Sequence, residues 1–150
     1  MSERAISYLA FFGTAAVMYF SMDVAFDVLA RVQIRGQSTS EALTETTHYL
    51  FVQPLGLLLS FAPFAAIAWI CCSLSRVSWA AALSLFALSM AVFAYMHFAG
   101  YNNSQMYMQQ RMWTAASLAV GLSPFKSIPI VIIALGFRFA ISRRYAPQKA

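Results

Sequence analysis

Three stretches of this chain, residues 5–22, 46–75 and 77–110, contain no Asp, Glu, Lys or Arg. A helix on the surface of a soluble protein carries charged side chains on its outward face, whereas a helix crossing a bilayer core needs about 20 predominantly apolar residues. The three stretches are therefore read as membrane spans. Composition agrees, since 61% of the residues are hydrophobic and 10% charged, against about 25% charged in an ordinary soluble domain. A disordered chain is excluded and a soluble globule disfavoured. The net charge of +5 would point to nucleic acid in a soluble protein. Here the basic residues flank the apolar runs, where they act as topology signals, and no nucleic-acid partner is expected.

The expected architecture is an all-α, single-domain, four-span bundle with crossings at about 5–24, 48–72, 79–100 and 113–141. The segment Met1-Ser2-Glu3-Arg4 and the apolar run to Phe20 have features of a signal peptide. The run is longer than the usual signal core, so a retained first span is expected. The six residues from Ser73 to Ser78 make the second and third spans antiparallel neighbours. Between the first two spans the polar connection from Arg31 to Thr47 carries a loop at Gln37 to Ser40 and a short helix capped by Ser40. Cys71 and Cys72 are adjacent and form no Cys-x-x-Cys pair; they are read as buried thiols at a helix end.

The fourth span is complicated by Lys126, which stands between Pro124 and Pro129 inside an apolar region. In one arrangement a single span is kinked at these prolines. In the other, residues 113–122 lie at the interface and the crossing begins at Ser127. A central lysine costs about 2.5 to 3.5 kcal/mol on insertion scales, while a crossing of only residues 127–141 reaches about 22 Å. A Pro-kinked span with Lys126 displaced outward is expected.

Four crossings place both termini on one side. Arg4, Arg76, Arg138, Arg143, Arg144 and Lys149 fall on that side, and Arg31, Arg35 and Arg111 on the other with Glu41 and Glu45. By the positive-inside rule the termini are cytoplasmic, and the membrane is the cell's inner or plasma membrane if the source is bacterial. The aromatic belts agree, with Trp69 and Trp79 near the cytoplasmic loop and Tyr49, Tyr101, Tyr107 and Trp113 on the outer side.

In the third span Ala80, Ser84, Ala87, Ala91 and Ala94 recur with a 3.5-residue period. Such a seam of small side chains admits close approach of another helix, of this chain or of a second one. Asp23, Asp27 and Arg31 lie at i, i+4 and i+8 and share one helix face. The ordinary reading is an Asp27–Arg31 pair on a helix leaving the bilayer, with Asp23 hydrated at its surface. The alternative gives Asp23 a partner inside the bundle, for which His97, at the same depth by residue count, is the first candidate and Lys126 the next.

His48 and His97 at matched outer depth could ligate haem iron or another metal, with a carboxylate orienting one ring. Met96, Met106, Met108 and Met112 add thioethers of the type that suits Cu(I), although methionine is also an ordinary flexible apolar residue. Haem or copper is the minority expectation, and no cofactor is the main one. The sequence holds no Gly-rich phosphate loop, Gly-x-Ser-x-Gly elbow or His-Glu-x-x-His pair. The expected function is non-enzymatic: a small polytopic protein acting through helix contacts with a partner, as a subunit or assembly factor of a membrane complex or an immunity-type protein. The alternative is a proton- or metal-handling protein built on Asp23, Asp27, His48, His97 and Lys126.

Overall fold

The computed structural model describes residues 3–52 and 54–145, and among these the secondary structure is helical with no strand. Seven helices follow in order: α1 (Glu3–Arg35), α2 (Thr39–Val52), α3 (Pro54–Leu74), α4 (Trp79–Gln109), α5 (Trp113–Gly121), α6 (Ser123–Lys126) and α7 (Ile128–Tyr145). Four segments are long and apolar enough to cross a membrane: Ala5–Arg35, Leu55–Leu74, Trp79–Gln109 and Ser123–Tyr145.

The two long helices set the geometry. α1 has 33 residues and α4 has 31, so they extend about 50 and 46 Å at 1.5 Å per residue. Each is therefore longer than the thickness of a bilayer core, about 30 Å. Both run in the same direction and pack against each other and against α3. At one end they enclose Phe11, Phe86 and Trp79, with Phe11 stacked on Trp79 at 5.5 Å. Further along, Tyr19, Phe64 and Phe93 fill the centre, and the Phe64 and Phe93 ring centroids are 4.7 Å apart. Cys71 and Cys72 are buried near the end of α3, as expected, and Cys72 Sγ meets the Ser7 carbonyl at 3.4 Å.

At the opposite end, α2 and α5 fold back along the extensions of α1 and α4. Gly36, at φ +68°, turns the chain out of α1, a conformation glycine adopts without steric cost. Ser38 then caps α2. Its Oγ accepts from Glu41 N–H at 3.3 Å, and Glu41 Oε2 accepts from Ser38 N–H at 3.1 Å, the reciprocal pattern of a capping box. The cap is thus two residues earlier than the expected Ser40, and the short helix extends to Val52. Consequently His48 stands on α2 instead of opening the second span, which begins at Leu55. On the other flank, α5 approaches α4 closely: a Cβ placed on Gly100 would lie 3.3 Å from the Ala119 carbonyl oxygen.

The region after α5 is segmented at its prolines. Pro124 has no N–H for the Val120 carbonyl; Ser123 Oγ donates to that carbonyl instead, at 2.6 Å. Ser127 Oγ donates to the Ser123 carbonyl at 2.9 Å, so two serine hydroxyls bond carbonyls around the break. Lys126 is exposed at the end of α6. α7 then packs chiefly on α3 and leaves Ile132, Ile133 and Phe139 bare.

Candidate functional site

The extensions of α1 and α4 carry polar stripes that meet in register. On α1 the stripe is Asp23, Asp27 and Arg31; on α4 it is His97, Tyr101 and Gln105. All six are on the inner faces of their helices, with Tyr101 half-buried and the other five buried. Tyr101 donates its hydroxyl to Asp23 Oδ1. One turn further out, Gln105 Nε2 donates to Asp27 Oδ1 at 3.1 Å.

Asp27 is the most heavily bonded of these groups. Its Oδ2 accepts from Arg31 Nε at 2.8 Å and from Thr46 Oγ1 at 2.7 Å. Arg31 is held in turn by Glu45, which also accepts from Gln37 Nε2 at 3.1 Å and pairs with Arg35 at 3.7 Å. The Arg31 guanidinium lies 5.5 Å from the centroid of the Tyr49 ring. A buried ion pair is maintained only where further hydrogen bonds satisfy its remaining donors and acceptors, and α2 supplies several of them here. The expected Asp27–Arg31 pair is therefore present, but beneath α2 instead of open to water.

Asp23 differs from Asp27. It is 8% exposed and is bonded to no cationic side chain among the described residues; Oδ1 takes the Tyr101 hydroxyl, and Oδ2 takes no hydrogen bond among them. His97 is close to Asp23, yet its Nδ1 is 3.0 Å from the Phe93 carbonyl, and its ring packs edge-on to Tyr19 and Phe64. The hydrogen-bonding partner of Asp23 is Tyr101, a residue that the sequence reading placed only in an aromatic belt. A tyrosine four residues after His97 on an aligned helix was the available signal.

Two adjoining cavities occupy this end. One, of about 410 Å³, lies among α1, α3, α4 and α5 and is lined by both aspartates and by Tyr19, Ser60, Tyr101 and Ser104, among others. The other, of about 730 Å³, lies between α2 and the end of α4, with Arg35, Glu45, His48 and Trp113 on its walls. Arg31, Tyr49 and Met108 border both.

The remaining candidate residues are dispersed. His48 is exposed and borders the larger cavity, whereas His97 lines neither. Met108 reaches the cavities, Met106 is exposed, and Met96 packs against the apolar core. Lys126 does not line either cavity, and Lys149 lies outside the described residues. Among the described residues, no three His, Cys, Asp or Glu side chains gather as metal ligands. Ala80, Ser84, Ala87 and Ala91 face outward, with Ala94 half-buried, so the small-residue seam is not the surface on which α4 meets its own chain. That surface is made by Leu85, Phe86, Ser89, Met90, Phe93 and His97.

Comparison with protein-family models, with characterised proteins and with solved structures gave no match.

Proposed function

We propose that the chain is an integral membrane protein that crosses four times and acts, without catalysis, through helix contacts with a partner membrane protein, as a subunit or assembly factor. The observation that carries this reading is the outward face of α4. Ala87 and Ala91 are exposed there, on a different face from the one that packs against α1 and α3. In lipid, small side chains on an outer face contribute little by themselves, whereas a neighbouring helix gains close packing from them.

The proposed spans are α1, α3, α4 and the segment formed by α6 and α7, which begins at Ser123 and not at the expected Trp113, α5 being a separate helix. Ser123–Tyr145 has 23 residues, about 34 Å of helix, which is sufficient for a bilayer core. Lys126 then falls at the outer edge, where its charge is inexpensive. The basic asymmetry favours cytoplasmic termini. This arrangement puts the α2 and α5 cap and its polar stripes on the outer side.

The test is cross-linking in native membranes from a Cys71→Ser/Cys72→Ser background. A cysteine at Ala87 should give a discrete adduct of higher mass, and one at Leu88 on the neighbouring exposed face should not. Absence of any adduct from Ala87→Cys, with the thiol shown to be labelled, would contradict the partner reading.

A further inference from the structure

The two aspartates bordering the smaller cavity have different charge environments. Asp27 has Arg31 at 2.8 Å and accepts hydrogen bonds on both oxygens. Asp23, one turn deeper, has no basic side chain bonded to it and leaves Oδ2 unpartnered while lining the cavity. Counting Asp23, Asp27 and Arg31, the lining carries one excess negative charge, which belongs to Asp23. A carboxylate withdrawn from water either takes up a proton or is complemented by a cation, and a cavity beside the free oxygen gives room for the cation.

The other walls narrow the type of cation. Divalent metals such as calcium take six to eight oxygen ligands, whereas this cavity offers one unbonded carboxylate oxygen and scattered serine hydroxyls. Its volume of about 410 Å³ falls within the range of small-molecule sites. Tyr19, Tyr49 and Tyr101 border it, and Leu57, Met108 and Val120 add apolar surface. Apolar and aromatic walls beside an anionic group favour an organic ammonium over a bare metal ion.

We infer that the cavity lined by Asp23, Tyr19 and Tyr101 binds a small organic ammonium cation, with Asp23 as its counter-ion. This site is independent of the partner surface on α4, and either can fail without the other.

The test is calorimetric titration of the purified full-length protein with choline, with ethylammonium, and with 3,3-dimethylbutan-1-ol, the uncharged carbon analogue of choline. At least one ammonium should bind, the neutral analogue at least 10-fold more weakly than choline if choline is the one bound. Asp23→Asn should weaken ammonium binding at least 10-fold, and Val120→Phe, which adds bulk on the α5 wall of the cavity, should abolish it. If Asp23→Asn does not fold, Val120→Phe and the neutral analogue decide the matter. Absence of binding by both ammonium probes, equal binding of choline and its neutral analogue, or full binding by Val120→Phe would overturn the inference. So would full binding by a folded Asp23→Asn protein.

Discussion

Thr46 of α2 donates a 2.7 Å hydrogen bond to Asp27 Oδ2 of α1, the same oxygen that receives Arg31 Nε. Thr46 and Asp27 are both buried, and the bond ties α2 to the end of a long helix. Because the acceptor is charged, the bond is stronger than one between neutral groups.

Thr46→Val retains the side-chain shape and removes only the donor. It should destabilise the protein by about 1.5 to 3 kcal/mol, the usual range for a hydrogen bond to a charged group. Denaturation in detergent, followed by helical circular dichroism, measures it; a change within error would show that α2 does not depend on this bond.

Arg31→Leu should cost more, about 3 to 5 kcal/mol, because it leaves Asp27 buried without its cation. The double variant Arg31→Leu/Asp27→Leu should recover part of that loss, since both charges are then gone. If the double variant is less stable than Arg31→Leu alone by the full cost of a second independent substitution, the pair is not coupled.

The four charge-free or weakly charged segments were legible because span length and charge exclusion are properties of single helices. The α1 polar face was equally legible from its four-residue spacing. Its partners were harder to read, since they depend on the register between α1 and α4. The Asp23–Tyr101 and Asp27–Gln105 bonds share the same separation of 78 positions, so a single offset places the whole stripe. Residue counting brought His97 to the correct depth but could not supply rotation, and one turn beyond it Tyr101 takes the carboxylate. The capping box at Ser38 and Glu41 is legible in its Ser-x-x-Glu spacing, which Ser40 lacks. The orientation of the small-residue seam was not readable: a helix has only one face toward its own chain, and on α4 the aromatic face occupies it.

Gly100→Leu should force α5 away from α4, because even a Cβ there meets the Ala119 carbonyl at 3.3 Å. A loss of about 1 to 3 kcal/mol is expected for overpacking of this kind. Thermal unfolding of the purified variant checks it, and unchanged stability would mean that α5 is free to shift.

Ala87→Leu and Ala91→Leu should leave the melting temperature of the isolated chain unchanged, since both positions are exposed. Added to the Ala87→Cys protein, Ala91→Leu should abolish the cross-linked adduct in native membranes, because a larger side chain separates the two helix backbones. An undiminished adduct would show that Ala91 does not pack against the partner helix.

Glu41 provides a pH signature for the cap. Its hydrogen bonds with the Ser38 hydroxyl and backbone N–H lower its pKa below the ordinary glutamate value. A carboxylate with a lowered folded-state pKa contributes stability above its unfolded pKa, and this is lost as pH falls through the folded value. Glu41→Gln should therefore flatten the acid limb of α2 unfolding, measured by hydrogen exchange at Ala42 and Leu43; an identical acid limb would remove Glu41 from that role.

A topology of four crossings with the polar cap opposite the termini is tested most directly by labelling of intact cells. In a Cys71→Ser/Cys72→Ser background, single cysteines are placed at Ser40 in the first turn of α2, at Val77 in the turn between α3 and α4, and at Arg143 near the end of α7. A membrane-impermeant maleimide should label Ser40→Cys in intact cells, and Val77→Cys and Arg143→Cys only after the cells are permeabilised. Equal labelling of Ser40→Cys and Val77→Cys in intact cells, or the reverse pattern, would contradict it.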